Sequence, residues 1–462
     1  MIKKFDLNIE KILEDWEIHH AVREIIANAI DEELLTKSEE IEIFKDDGNS
    51  WHIRDYGRGI NSEHLTQKEN DEKIKSAHTI GKFGIGLKDA LATFDRKGVE
   101  VSIKSRHINM TLERTNKHGF ADIVTLHANI TPSSDKGFRG TEFILKNCPD
   151  IQIEEAKGLF LRFSGEEILE ETPIGQVLKK ESETARIYIN GVQVAQEDNF
   201  LFSYNITELN QTIKKALNRE RTNVGRTAYT DRVKSILKKC QSETVARKLV
   251  DDLSRYDTGE QHDELTWTDI AVHACKLCNE RSRVVFFTSE EVISSPNLVD
   301  RVQRDQYEVV VIPQNIKKKI SGNADFSGNP IRDVGQFTRD WNESFKFSFV
   351  TEDQLKPGEL RVYEQTDKIL SLIGGKPGNV KDILISRTMR LDKETYYEVG
   401  GLWEPQEGRI VIRYDNLKDL GSYAGILLHE IAHARSGAID CTRKFENELT
   451  DLLGIVIQQT IG

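Results

Sequence analysis

The sequence predicts a multidomain chain of mixed α/β and α+β class, and three observations carry that prediction. Its 462 residues, 38% apolar and 30% charged, suffice for two to four domains of roughly 100–200 residues, each with its own core. Apolar positions switch repeatedly between three-to-four-residue steps and alternation, so helices and strands are interleaved. Gly, Asn, Ser and Pro gather without apolar period in SGNADFSGNPIRDVG, which marks 321–335 as the best interdomain linker. The expected units are therefore 1–180, 181–320 and 336–462, with 321–335 between the last two.

Composition excludes several classes. With 19 Phe, 11 Tyr and 5 Trp against only 9 Pro, the chain is not disordered as a whole. No stretch approaches the ~20 consecutive apolar residues that cross a bilayer. The opening MIKKFDLNIEKILEDW turns charged before a signal-peptide core can form, so a cytoplasmic chain with no membrane partner is expected. Cys148, Cys240, Cys275, Cys278 and Cys441 are too scattered for a disulfide scaffold, which fits a reducing compartment. Lys and Arg number 64 against 76 Asp and Glu, a net charge of −12. That balance disfavours a protein coated with nucleic acid but permits a local basic patch.

The elements follow in order. Residues 9–35 read as a helix, with Ile12, Trp16, Val22, Ile25, Ile26, Ala29 and Ile30 at helical steps. IEIFK and SWHIRDYG read as strands joined by Asp47-Gly48-Asn49, a hairpin turn signal. A helix opens after Gly86, and VEVSIKS, INMTLER, ADIVTLHA and GTEFILKN supply strands to about residue 147, giving a two-layer domain. ARIYINGVQV reads as a second hairpin turning at Asn190-Gly191. Basic helical sequence follows over 208–255, then a strand-helix-strand pattern over 283–313. The region 336–462 reads as strand-rich first and helical at its end.

Three pieces of the first region fit together chemically. AVREIIANAIDEE places Glu24, Asn28 and Asp31 on one helix face. DYGRGI sets Asp55 after a strand, where a buried carboxylate accepts from an exocyclic amine, with Gly57 and Gly59 letting the backbone turn beside a ligand. IGKFGIGLKDA puts Gly81, Gly84 and Gly86 at the entry to a helix, where bare amides and the positive helix end suit phosphate oxygens. A Rossmann reading fails on spacing, because GKFGIG follows a polar loop and no acidic ribose reader is in place.

That ordered set, over roughly residues 1–145, resembles the GHKL ATPases, the family of gyrase B, MutL and the MORC proteins. The resemblance implies an amino-terminal Bergerat α/β sandwich that binds ATP and Mg²⁺. It implies Glu24 as the general base that activates water, Asn28 as the Mg²⁺ ligand and Asp55 as the adenine reader. Gly57 and Gly59 would border the purine, Gly81, Lys82, Gly84, Gly86 and Lys88 would embrace the phosphates, and Thr141 after Gly140 would sit beside adenine. Asp31 completes the nucleotide set, and residues 61–80 would form the lid. The second region looks like the transducer-like α/β middle domain of several of these families. Between Lys214 and Lys239 there are nine basic residues against two acidic ones. Three readings stay open there: a solvated amphipathic helix, a cation from Arg219, Arg221 or Arg226 that reaches the γ-phosphate, and a nucleic-acid contact.

GILLHEIAHARSG contains His429-Glu430-Ile431-Ala432-His433. On a helix the two histidines lie one turn apart and can ligate one Zn²⁺, while Glu430 reaches the metal-bound water as general base. A third protein ligand is needed, and FENELTDLLG offers Glu446, with Glu448 in reserve, flanking the stripe Phe445, Leu449, Leu452 and Val456. HEIAH followed by FENEL resembles gluzincin metallopeptidases, most closely the ImmA/IrrE-like group, which implies a zincin-like α+β carboxy-terminal domain with Glu446 as ligand. Thr450 stands where that group carries a further acid, and Cys441 competes as a soft ligand. GLWEPQEGRIVIRYD reads as a hairpin whose strand Arg409–Arg413 is an edge able to hold a peptide; Tyr396, Tyr397 and Tyr423 are candidate oxyanion donors, although tyrosine in strands more often packs. Cys275 and Cys278 with His273 look like half a zinc knuckle but read as helix core, since no second pair accompanies them. The functional expectation is an ATP-regulated zinc metallopeptidase acting on a protein or peptide substrate, with an ATP-dependent homodimer. The alternative is a MORC-like ATP-dependent nucleic-acid clamp with a structural or vestigial metal domain.

Overall fold

A computed structural model describes residues 3–7, 15–65, 79–80, 86–120, 122–217, 224–392 and 395–461. The chain divides into two compact units, Met1–Leu249 with Gln261–Ala271, and Val250–Glu260 with Val272–Gly462.

The first unit opens with β1 (Lys3–Asp6), α1 (Ile18–Thr36), β2 (Glu42–Lys45), β3 (Trp51–Asp55) and α2 (Gly86–Arg96). β4 (Glu100–Ser105), β5 (Ile108–Asn116), β6 (Val124–Pro132), β7 (Thr141–Lys146) and α3 (Asp150–Gly158) follow. The seven strands form one sheet in the order β1-β6-β5-β4-β7-β3-β2, and every neighbouring pair is antiparallel. α1 buries Ala21, Val22, Ile25, Ile26 and Ala29, the apolar series at helical steps, and packs with α2, α3 and β3. Ile53, Ile103, Phe143 and Leu145 meet that face from the sheet. Each such side chain removed from water is worth about 1.5–3 kcal/mol, so this interface holds the layers together. The β2–β3 turn needs Asn49 at φ 64°, a left-handed conformation that asparagine tolerates.

β8 (Ile168–Thr172), β9 (Gly175–Lys179), β10 (Ala185–Ile189), β11 (Val192–Glu197) and β12 (Phe202–Ile206) form a second sheet in the order β11-β10-β12-β9-β8. The boundary expected at 180 therefore falls inside one sheet, because β12 pairs with β9 before it and β10 after it. α4 (Gln211–Ala216), α5 (Arg226–Leu237) and α6 (Glu243–Leu253) carry the basic helical sequence.

The second unit contains the strand-helix-strand element: β13 (Val284–Phe287) pairs in parallel with β14 (Glu308–Val311) across intervening helical segments. Residues 321–335, expected to be a linker, lie within this unit. Asp325 Oδ1 accepts the Ser327 and Asn329 amides at 3.0 and 2.9 Å, and Asp333 bridges to Phe286. The Asn and Ser that suggest a linker instead join Asp325 in closing a tight loop on its own backbone.

The region 336–462 corrects a second expectation, since helical segments Val334–Ser344, Pro357–Tyr363 and Thr366–Leu372 precede most of its strands. β15 (Phe349–Val350), β16 (Asp382–Ser386), β17 (Gly401–Glu404) and β18 (Arg409–Arg413) make a sheet in the order β15-β16-β18-β17. Arg409–Arg413 is thus an inner strand, parallel to β16 and antiparallel to β17, and the edge beside it is β17. Two long helices complete the unit, Leu420–Ser436 and Arg443–Ile461, here α7 and α8. Phe445, Leu449, Leu452 and Val456 of α8 pack against Tyr423, Leu427 and Ile431 of α7. Among the described residues, no helix is long and apolar enough to cross a membrane.

Candidate functional sites

In the first unit β3 and β7 set Asp55 directly opposite Thr141. Both are buried, at 6% and 2% exposure. Asp55 Oδ1 accepts the Gly57 amide at 2.9 Å, and Thr141 also hydrogen-bonds the carboxylate. Burial pushes the Asp55 carboxyl up to about 6, and Glu32 nearby adds to the rise while those hydrogen bonds oppose it. Gly140 has φ +72°, and a Cβ there would collide with the Asp55 carbonyl, so both the conformation and the close approach require glycine. Gly59 has φ +85°, and a Cβ would lie 2.8 Å from Ser105 Oγ.

α1 carries the other groups. Glu24 is buried, and Arg23 Nη2 donates to its Oε1 at 3.0 Å. The second oxygen, Oε2, faces Gly86, the first residue of α2, where a Cβ would collide with it. Asn28 is half-buried one turn on. Asp31 is fully buried and accepts the Ile80 amide at 2.5 Å, which gives it a role in holding the chain at Ile80. Lys88 lies 5.6 Å from the Phe5 ring; burial lowers its pKa while Asp6 and Asp89 act against that. Gly81, Lys82 and Gly84, Arg219 and Arg221, and most of the expected lid lie outside the described residues. Arg226 is engaged internally, ion-paired with Asp263 and with Glu197 at 3.3 Å. Its cation also lies over Phe200, and these contacts argue against a phosphate role.

In the second unit α7 presents His429 and His433 one turn apart, their Nε2 atoms 3.2 Å from each other. The third donor set against them is Asp440, in place of the Glu446 read from the sequence. Its Oδ1 lies 3.1 Å from His429 Nε2 and 3.3 Å from His433 Nε2, and the three donors fall within 4.8 Å of one another. Gly437, at φ 63°, ends the helix and reverses the chain, which returns Asp440 to the histidines. α8 meanwhile offers Phe445, whose ring stacks on His433 at 4.2 Å. Glu446, next round the helix, is exposed, and Glu448 pairs with Arg435 at 3.7 Å. Cys441 is exposed as well, and it does not join the cluster.

His433 is tethered through its other ring nitrogen. His433 Nδ1 lies 2.8 Å from the Ala438 carbonyl, so Nδ1–H donates there and Nε2 keeps its lone pair toward the cluster. Burial lowers the His429 pKa, and Asp440 partly offsets it. Two imidazole nitrogens and a carboxylate make a donor set that suits Zn²⁺ with one open position.

Glu430 is 5% exposed, and burial pushes its carboxyl up to about 8, with a hydrogen bond from the Trp403 amide acting the other way. A Cβ on Gly401 would lie 2.8 Å from Glu430 Oε1, so glycine lets β17 pass close beside the carboxylate. Two of the three tyrosines take the packing role: Tyr423 is fully buried with its hydroxyl 2.7 Å from Thr366 Oγ1, and Tyr396 packs in a separate cluster around Val285 and Phe337. Tyr397 is exposed. Cys275 and Cys278 are buried in the Thr268–Arg281 helix as free thiols.

Residues 151–243 match the family model described as the Mycoplasma pneumoniae MPN635 N-terminal domain. An uncharacterized protein of Mycoplasma pneumoniae is 41% identical over 241 residues, 51% of this chain and 97% of that protein. The chain belongs to that protein's family. A second uncharacterized protein of the same organism is 27% identical over 308 residues, 62% of this chain and 85% of its own length. A solved structure similar to the chain is the 43K ATPase domain of Thermus thermophilus gyrase B in complex with an aminocoumarin. The identity is 18%, over 38% of this chain and 61% of that chain, with a TM-score of 0.20. The family-model span, 151–243, contains the whole β8–β12 sheet with α4 and α5.

Proposed function

We propose that this family member is an ATP-regulated zinc metallopeptidase, a GHKL-type ATPase of Bergerat architecture with a transducer-like region and a zincin-like hydrolase in one chain. One observation carries the reading. Each glutamate assigned as a general base, Glu24 and Glu430, is buried against a glycine whose Cβ would strike it, Gly86 and Gly401. Glu24 faces the first residue of α2, and Glu430 follows His429 of a His-His-Asp cluster. Glu24 is held by Arg23 and Glu430 by the Trp403 amide, and two buried carboxylates positioned in such cradles fit proton transfer at two separate centres.

For ATP, Asp55 accepts from the adenine amine and Thr141 fixes that carboxylate. Glu24 takes the proton from water, and Asn28 would hold Mg²⁺. For the peptidase, His429, His433 and Asp440 would hold Zn²⁺, which supplies a Lewis acid and an acidified water. With Zn²⁺ bound, its positive charge would draw the Glu430 carboxyl down from its raised value, so that Glu430 would accept a proton at its carboxylate, held in place by the Trp403 amide. The outer edge of β17 offers backbone groups to an extended peptide, the substrate class proposed here. ATP binding would favour an amino-terminal homodimer and shift the peptidase between two activity states.

The test is proteomic. Zinc-loaded full chain is incubated with a peptide library and ATP, and new termini are read by mass spectrometry. Cleavage by wild type but not by Glu430→Gln, with Glu24→Ala altering the ATP dependence, supports the reading. ATP turnover without any cleavage would favour a nucleic-acid clamp.

A further inference from the structure

Arg23 is 1% exposed, which places it among the largest fully buried side chains. A buried guanidinium loses far more hydration than an apolar side chain of similar volume, so it stabilises a fold poorly for its own sake. Neighbouring helix residues also point about 100° apart and do not normally meet. Arg23 nevertheless turns onto Glu24: Nε and Nη2 both donate to the same oxygen, Oε1, at 3.3 and 3.0 Å. Its other side is covered by Trp16, itself 4% exposed, with the guanidinium carbon 5.5 Å from the ring centroid. Trp16 is anchored in turn, its carbonyl accepting from Arg96 of α2 at 3.4 Å.

The consequence is an asymmetric carboxylate. Oε1 carries two donors and is held, while Oε2 faces the Gly86 end of α2. We infer that Arg23 is the positioning residue for ATP hydrolysis, holding Glu24 by Oε1 so that Oε2 alone receives the proton from the attacking water. In that step the water oxygen bonds to the γ-phosphorus as the bond to the β,γ-bridging oxygen breaks. ADP leaves with the electron pair, and the released proton passes to Oε2. Arg23 neither touches substrate nor exchanges a proton, and a fork of two donors on one oxygen fixes orientation as a single ammonium does not. The role rests on the ATPase reading proposed above.

The experiment uses the full chain with Mg²⁺ and ATP, comparing wild type, Arg23→Lys and Arg23→Gln by calorimetry for ATP affinity and by phosphate release for turnover. Both variants are checked for folding by thermal melt. The expected result is unchanged ATP affinity and KM with kcat lower by roughly tenfold for lysine and a hundredfold for glutamine, since a misaligned base loses rate without losing binding. A merely structural arginine would lower the melting temperature and affinity together while leaving the kcat of folded protein alone. Wild-type kcat in either folded variant overturns the role and leaves the ATPase reading standing. No ATP turnover by wild type overturns the ATPase reading, and with it this role.

Discussion

Replacing Asp55 by asparagine removes one buried carboxylate and separates binding from stability. The Asp55 carboxyl is raised from 3.8 to about 6, chiefly by burial. At ~1.36 kcal/mol per pH unit that is about 3 kcal/mol. The sign follows from the direction: a raised carboxyl favours the protonated folded state, so stability is highest below pH 3.8 and falls as pH rises toward about 6. Asp55→Asn should therefore be more stable than wild type at pH 7, by up to about 3 kcal/mol, and no more stable at pH 3.5. ATP affinity should move the opposite way, because the amide offers adenine the wrong donor pattern. In wild type, affinity should also fall about tenfold from pH 7 to pH 5, as the carboxylate fraction drops from about nine-tenths to one-tenth. Urea titrations at the two pH values give the stability, and calorimetry gives the affinity. An asparagine variant that binds ATP like wild type, or is destabilised at pH 7, would refute the reasoning.

Three further outcomes are expected. Glu264 is fully buried, accepts the Leu201 amide at 2.9 Å and is raised from 4.5 to about 7 by burial, so Glu264→Gln should remove a loss of about 3 kcal/mol between those pH values; urea midpoints across pH 4.5–7 check it. Gly401→Ala should retain metal but lose at least tenfold in peptide cleavage, because the new Cβ would lie 2.8 Å from Glu430 Oε1; metal analysis beside a cleavage assay separates the effects. Asp440→Ala should reduce zinc content sharply while Glu446→Ala leaves it unchanged, since among the described residues it is Asp440 that lies with the histidine nitrogens; mass spectrometry of purified protein decides between them.

The parts legible in the sequence are those set by local pattern. The hairpin over 42–55 is readable because its turn signal and alternation sit in adjacent residues, and α1 because its buried positions recur at helical steps. The placing of Asp55 at a strand end before a glycine whose amide it accepts is local and readable, whereas Thr141 and Gly140 reach it from across the sheet. The placing of Asp440 is not readable. Its approach depends on the chain reversing at Gly437, while α8 turns Phe445 rather than Glu446 toward His433; a helix phase cannot be read one residue at a time without the packing. Gly437 just after the helix and an acid three residues later are the signal that marks Asp440. The loop at 321–335 misleads because linkers and Asx-closed loops share one composition. The place of Arg409–Arg413 inside its sheet is set by β16, more than twenty residues away in sequence, which local alternation does not report.

The measurement that bears most directly on the account is cleavage of a peptide library by the zinc-loaded full chain, with and without ATP, for wild type and Glu430→Gln at equal zinc content. The account predicts new peptide termini from wild type, at a rate that changes with ATP, and none from Glu430→Gln. Equal termini from both proteins, or none from either at full zinc occupancy, would contradict it.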